Sequence, residues 1–247
     1  MTDTSGSREL LVIDLGLIDY DQAHAFQRAA ARLRVRQGIP ADLLILCEHP
    51  AVVTTGRSTK SGNLLASAEL LAANGIALRD VERGGDVTIH EPGQLVGYPV
   101  IDLKGHKQDL HWYLRQIEEA IIETLATFGL AAGRSPGQTG VWIERRKLAS
   151  IGVHARDWVT SHGFALNAFN TLETFRFIVP CGIADVTMNT LEQECRVAGL
   201  SAPTPEQLRA RIVGSFESVF TLSARRASQE ILGAIRAEMT ELVLAVR

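Results

Sequence analysis

The sequence predicts an α+β fold. Strand-like runs cluster between about Val81 and Val179, with helical patterns before, between and after them, so the order is not the regular alternation of a parallel βαβ sheet. The chain has 247 residues, near the upper limit for one hydrophobic core, which predicts a large domain with a small appendage. Apolar residues make up 46% and charged residues 21%, a composition that predicts a folded, soluble protein and excludes a disordered or collagen-like chain.

Each element has a local signal. Glu9–Asp14 is a short apolar run and reads as a strand. Asp19, with Gln22 three residues on, marks a helix start, and Ala23, Phe26, Ala30 and Leu33 follow at helical spacing until Gly38 and Pro40 stop the pattern. Leu43–Cys47 is a buried-strand run leading into Glu48-His49-Pro50, and Val52–Thr55 continues extended. A short helix from Ser67 to Asn74 ends at Gly75, and Ile76–Val81 is the next strand. Asp86–His90 and Leu95–Ile101 read as the arms of a hairpin, because Glu91-Pro92-Gly93-Gln94 puts proline and glycine where a type II turn needs them.

Asp109 caps a helix with Leu110, Leu114, Ile117, Ile121, Leu125 and Phe128 on one stripe, closed by Gly129. Ser135–Gly140 reads as a loop, Val141–Glu144 and Lys147–His154 as strands joined at Arg145-Arg146, and Phe164–Phe169 as a further strand. Thr204 and Pro205 open a helix through Phe220. Ser228 starts a last one, with Ile231, Ile235, Met239 and Leu242 on one face, so residues 223–247 read as a C-terminal helical extension of the 1–222 domain.

A net charge of −3 argues against a generally nucleic-acid-binding surface, despite the local run Arg145-Arg146-Lys147. Three cysteines at unrelated spacings form no disulfide or zinc framework, which fits a reducing compartment. The N-terminus lacks the basic and apolar regions of a signal peptide, and no apolar stretch reaches the ~18 residues of a membrane span. The expectation is a cytoplasmic protein with no membrane partner.

The residue that most needs explaining is Cys181, which ends the apolar run Phe175–Val179 between Pro180 and Gly182. Proline fixes its own φ and removes an N–H, while glycine lets another group approach the main chain, a stiff corner that suits a nucleophile. A small buried hydrophobe is the equal alternative. Cys47 reads as core and Cys195 as incidental.

In the strand from Lys147, alternation groups Lys147, Ala149, Ile151 and Val153 on one face and Leu148, Ser150, Gly152 and His154 on the other. The lysine is either a snorkelling strand end or a cation beside a reactive thiol, where it lowers the thiol pKa below the free value of ~8.5 and relays protons. Arg83-Gly84-Gly85 is neither a Walker loop nor a dinucleotide fingerprint, and says only that backbone comes close to something. His90 and His49 read as structural hydrogen-bonding groups ahead of general bases, and Asn167 and Thr88 as scaffold.

Taken together, Glu48-His-Pro50 with Gly56-Arg57, Arg83-Gly-Gly-Asp-Val-Thr-Ile-His-Glu-Pro-Gly-Gln94, Thr139-Gly-Val-Trp142, Lys147-Leu-Ala-Ser-Ile-Gly152, His162-Gly-Phe-Ala-Leu-Asn167 and Val179-Pro-Cys-Gly-Ile183 resemble the lipoyl(octanoyl) transferase family, in the expected order from about Leu10 to Phe220. The resemblance implies the two-layer α/β fold of lipoate and biotin protein ligases, a mixed sheet flanked by helices, with residues 1–222 as the catalytic domain. It implies transfer of an octanoyl group from octanoyl-acyl carrier protein to a lysine of lipoyl domains, on the E2 subunits of 2-oxoacid dehydrogenases and on glycine cleavage H protein. Cys181 would be the acyl-thioester nucleophile and Lys147 its pKa-lowering partner. Arg83, Gly84, Gly85, Asp86, Val87, Thr88, Ile89, His90, Ser150, Ile151, Gly152, Gly163, Phe164 and Ala165 would line the acyl pocket.

The implied donor is already an activated thioester, so no ATP, cofactor or metal is required, and a monomer is expected. Two departures stand out: relatives commonly have tyrosine at Ile89, which could reshape the pocket, and glycine at Glu91, which bears on the turn. The rival readings are an ATP-dependent ligase on the same fold, a cysteine hydrolase using His154 or His162 as base, and a non-catalytic acyl-protein-binding module. Cys181 after Pro180 speaks against the first, Lys147 against the second, and the intact pair of Lys147 and Cys181 against the third.

Overall fold

The computed structural model describes residues 8–180 and 186–244. In chain order the elements are β1 (Arg8–Leu17), α1 (Tyr20–Val35), β2 (Asp42–Glu48), β3 (Val52–Thr55), α2 (Ala68–Ala73), β4 (Ala77–Asp80), β5 (Thr88–His90), β6 (Gln94–Val100), α3 (Leu110–Ala126), β7 (Gly133–Ser135), β8 (Gln138–Ile143), β9 (Arg146–Arg156), β10 (Val159–Asn167), β11 (Thr187–Met188), α4 (Leu191–Val197), α5 (Pro205–Phe220), β12 (Leu222–Arg226) and α6 (Gln229–Leu244). Among the described residues nine strands form one sheet in the order β12-β1-β2-β6-β10-β9-β8-β7, with β11 beside β9, and β4-β3-β5 form a second, smaller sheet. Both are mixed: in the large one β1 runs parallel to β12 and β2 whereas β6 is antiparallel to β2 and β10, and in the small one β3 runs parallel to β4 and antiparallel to β5.

The large sheet is sandwiched between helices, and its central strand shows why. Leu44 and Leu46 of β2 face the core built with α3 and α5, while Leu43, Ile45 and Cys47 face the core built with α1 and α6. A strand covered on both faces carries a continuous apolar run, as Leu43–Cys47 does. The helix starts behave as their caps require. Asp19 Oδ1 accepts from the N–H groups of Asp21 and Gln22, and Thr204 and Gln207 form a reciprocal capping box behind Pro205.

The hairpin expected around residues 91–94 does not form. The turn itself is present: Gln94 N–H donates to Glu91 O at 3.1 Å, and Gly93 takes the φ of 86° that the third position of a type II turn requires. Its two arms nevertheless part, β5 pairing with β3 in the small sheet and β6 with β2 and β10 in the large one. A type II turn twists against two antiparallel strands and splays them. It is therefore the corner where one sheet hands over to the other.

Other elements carried weaker signals. The stretch read as a loop at 135–140 is a tight hairpin, β7 and β8 closing around Pro136-Gly137. Cys195, read as incidental, is buried on α4 in the core shared with α3 and α5. Residues 223–244 are woven into the large sheet and its helical cover: β12 pairs in parallel with β1, and α6 packs on α1 with Ile235 completely buried.

Candidate active site

At the junction of the two sheets lies a cavity of about 300 Å³. Its walls bring together Arg83, Gly85, Asp86, Val87, Thr88 and His90 from the small-sheet side, Lys147, Ser150, Ile151 and Gly152 from β9, and Gly163, Phe164 and Ala165 from β10. Two residues expected to line the pocket do not. Gly84 sits behind the wall, its N–H donating to Val153 O at 2.8 Å and pinning the glycine loop to β9. Ile89 points the other way along β5, into the small-sheet core with Val53, Leu71 and Phe175, so its difference from tyrosine does not reach the cavity surface.

Cys181 lies outside the described residues, but the chain leading to it is fixed. Leu65 N–H donates to Phe177 O at 2.9 Å and Val179 N–H to Asn63 O at 2.8 Å, and the Asn63 amide donates to Asp86 in the cavity wall. On the far side of the segment, β11 pairs Met188 with Lys147 in parallel register.

Lys147 is 1% exposed. Simple alternation grouped it with Ala149, Ile151 and Val153, and β9 breaks that pattern. Opposite β8, Val141 faces Ala149 whereas Trp142 faces Lys147, which leaves Leu148 as the extra residue of a β-bulge. Leu148 and Ala149 consequently both enter the helix-covered core, while Lys147 reaches the cavity with Ser150 and Gly152. Its ammonium lies 5.1 Å from the Trp142 ring centroid, a cation–π contact made in a buried place. Gly140 is required beside it: a Cβ there would sit 2.7 Å from Lys147 Cε and 2.5 Å from Ala149 O.

Arg83 and His90 each make hydrogen bonds to neutral groups. Arg83 donates to Thr54 O at 2.7 Å and to Thr54 Oγ1, tying the glycine loop to β3. His90 Nδ1–H donates to Gln94 Oε1 at 2.8 Å, and Gln94 Nε2 passes the link to Asn167 Oδ1 at 2.9 Å, so three strands of the two sheets share one network. Burial, followed by the nearby His49, drives the His90 pKa down to about 3, so the imidazole stays neutral. His49 is a structural group as expected: Nδ1–H donates to Ile18 O, Nε2 accepts from Tyr98 OH, and burial lowers its pKa.

Sequence reasoning did not single out Tyr20, Val96, Tyr98 and Gln138 as cavity-lining residues. Tyr20 comes from the first turn of α1 and stacks on His90 at 5.9 Å, a contact with no local signature. His162, considered as a hydrolase base, does line the cavity, whereas His154 lines a separate cleft.

A family model described as the lipoyl protein ligase A/B catalytic domain matches residues 19–217. An octanoyltransferase of Nostoc sp. is 44% identical over 212 residues, 86% of this chain and 92% of that protein. Another, of Geotalea uraniireducens, is 52% identical over 183 residues, 74% of this chain and 82% of that protein. Among solved structures, lipoate-protein ligase A bound with ATP superposes with a TM-score of 0.72 at 14% identity, covering 95% of each chain. A bipartite lipoate protein ligase of Thermoplasma acidophilum, described with its E2 lipoyl domain, gives 0.71 at 17% identity, covering 94% of this chain and 92% of that one. At such identities the structural likeness concerns the fold. With the family model spanning most of the chain and curated relatives matching over most of its length, the chain belongs to the octanoyltransferase family, acyltransferases built on the lipoyl protein ligase A/B catalytic domain.

Proposed function

We propose that this acyltransferase moves an octanoyl group from octanoyl-acyl carrier protein to a lysine of lipoyl domains, using Cys181 as nucleophile and Lys147 as its cationic partner. The observation that carries this reading is Lys147, buried at the wall of a cavity whose volume lies at the small end of the about 300–1,000 Å³ typical of ligand sites. A slot of that size suits a short linear acyl chain better than an acyl-adenylate.

In the first step the Cys181 thiolate attacks the carrier thioester carbonyl, forming a new C–S bond as the carrier thiolate leaves and takes a proton. In the second, the acceptor lysine amine attacks the acyl-enzyme, a C–N bond replaces the C–S bond, and the proton lost by the amine passes by way of Lys147 as the thiolate returns. The donor is activated throughout, so neither step consumes a nucleotide. E2 lipoyl domains and glycine cleavage H protein are the proposed acceptors, and an E2 lipoyl domain accompanies the T. acidophilum relative in fold. The cytoplasm is the proposed location; among the described residues no helix is long and apolar enough to cross a membrane.

The test is intact-mass analysis of the purified chain incubated with octanoyl-acyl carrier protein and no nucleotide. One octanoyl group is expected, mapped to Cys181, lost in Cys181→Ser and passed on to an added lipoyl domain. Transfer that requires ATP would replace this reading with the ligase one.

A further inference from the structure

Beside the acyl cavity, whose wall includes His162, three donor groups meet that the proposed transfer steps do not use. His24 on α1, Glu82 in the connection after β4 and His162 on β10 each place one donor atom within 4.8 Å of the others. His24 Nε2 lies 3.3 Å and His162 Nε2 3.7 Å from the same oxygen, Glu82 Oε1. Ligands held at about 2.0–2.1 Å around a tetrahedral ion stand about 3.4 Å from one another, so both separations match the edges of one coordination polyhedron.

Hydrogen bonding alone leaves this cluster incomplete. The His162 side chain is 3% exposed, and its Nε2 meets Glu82 Oε1 only at 3.7 Å, an ion-pair contact longer than a formed hydrogen bond, with no closer polar partner among the described residues. A buried ring nitrogen aimed at a carboxylate and a second imidazole is what a cation would satisfy. The backbone of His162 is itself held, its N–H donating to Gln27 Oε1 at 2.7 Å. Glu82 is 32% exposed and borders a separate cleft, which gives an ion and a water as fourth ligand a path from solvent. Of the four arginines around that cleft, Arg32 and Arg36 are paired with Glu238 and Arg156 with Asp157, which reduces their opposition to an incoming cation, and Arg28 is the fourth.

We infer that His24, Glu82 and His162 form a binding site for a zinc-class divalent cation. Two imidazoles with one carboxylate select a borderline metal over the oxygen-seeking calcium and magnesium. The ion would join α1, the connection that continues directly into Arg83, and the strand position next to Gly163, so it clamps together three elements that border the acyl cavity. Its role is to hold that wall, with no part in the acyl transfer.

The experiment uses the full chain stripped with a chelator, titrated with Zn²⁺ by calorimetry and with Co²⁺ by visible absorption. One equivalent is expected to bind, with the intense visible bands of low-coordinate cobalt and no thiolate charge-transfer band. Glu82→Gln and His24→Asn, each checked for folding by circular dichroism, should bind Zn²⁺ at least about 100-fold more weakly, since loss of even an outer-shell partner costs about 10–100-fold. Zn²⁺ should raise the melting temperature of wild type and of Cys181→Ser alike, and not of the ligand variants. The inference is overturned if wild type binds no stoichiometric zinc, if a folded ligand variant binds it as tightly as wild type, or if Cys181→Ser abolishes binding.

Discussion

His90 makes the fold sensitive to acid by an amount that follows from its surroundings. Its ring is packed against Tyr20 and hydrogen-bonded to Gln94, with His49, Arg83 and His162 as the nearby charged or titratable groups, and its pKa falls from 6.5 to about 3. Below the unfolded value the unfolded chain takes up a proton that the folded chain refuses, so stability falls as pH drops from 6.5 toward 3. Each tenfold difference in proton affinity between the folded and unfolded chain is worth about 1.4 kcal/mol, and between about pH 7.5 and about pH 5 the His90 contribution to this loss comes to about 2 kcal/mol. The assay is urea unfolding of wild type and His90→Gln at those two pH values, in the presence of a chelator. His49 and His162, whose pKa values are also lowered by burial, steepen both curves, so the difference between the variants reports His90 together with its coupling to them. Wild type should lose about 2 kcal/mol more than His90→Gln on acidification. Equal losses would mean that the imidazole is protonated in the fold, and would refute the neutral His90–Gln94 network.

If the Lys147 ammonium stabilises the Cys181 thiolate, Lys147→Met should raise the thiol pKa toward or above ~8.5 and slow its alkylation at neutral pH, whereas Lys147→Arg keeps the charge and loses mainly the proton relay. A Met variant that alkylates and transfers like wild type would make Lys147 a purely structural strand residue. Glu91 is buried and accepts hydrogen bonds from Asn170 Nδ2, Leu172 N–H and Thr174 Oγ1. Glu91→Ala should therefore cost about 3 kcal/mol in urea unfolding, and a loss under about 1 kcal/mol would show that the 170–174 loop is held by other contacts. Deleting Ser228 to Arg247 removes α6 and its buried Ile235 from the face of α1 while leaving every cavity residue in place. The truncated chain should melt lower and bind a hydrophobic dye, yet transfer octanoyl per soluble molecule. A soluble but inactive product would refute that.

What this sequence determined by itself is local. The cap at Asp19, the Thr204-Pro205 helix start, the Ile117, Ile121 and Leu125 part of the α3 stripe and the apolar run of β2 each depend on residues a few positions apart, and the chain shows them, although Leu110 at the head of that stripe is exposed. The glycine loop, the Lys147 strand and the Gly163-Phe164-Ala165 stretch were likewise legible as motifs, and the structure gathers most of their residues around one cavity. Partnering was not legible. The turn at 91–94 reads correctly from proline and glycine, yet which sheet each flanking strand joins depends on β2, β3 and β10, far away in sequence. The bulge at Leu148 is equally silent, because a strict period of two holds only while both strands keep register, and the slip that turns Lys147 toward the cavity is made opposite Val141 and Trp142. The convergence of His24, Glu82 and His162 joins one helix, one loop and one strand with no shared motif. Caps and periodicities are energies between neighbours in the chain; register and convergence are set by packing between distant segments, which only the tertiary structure brings into contact.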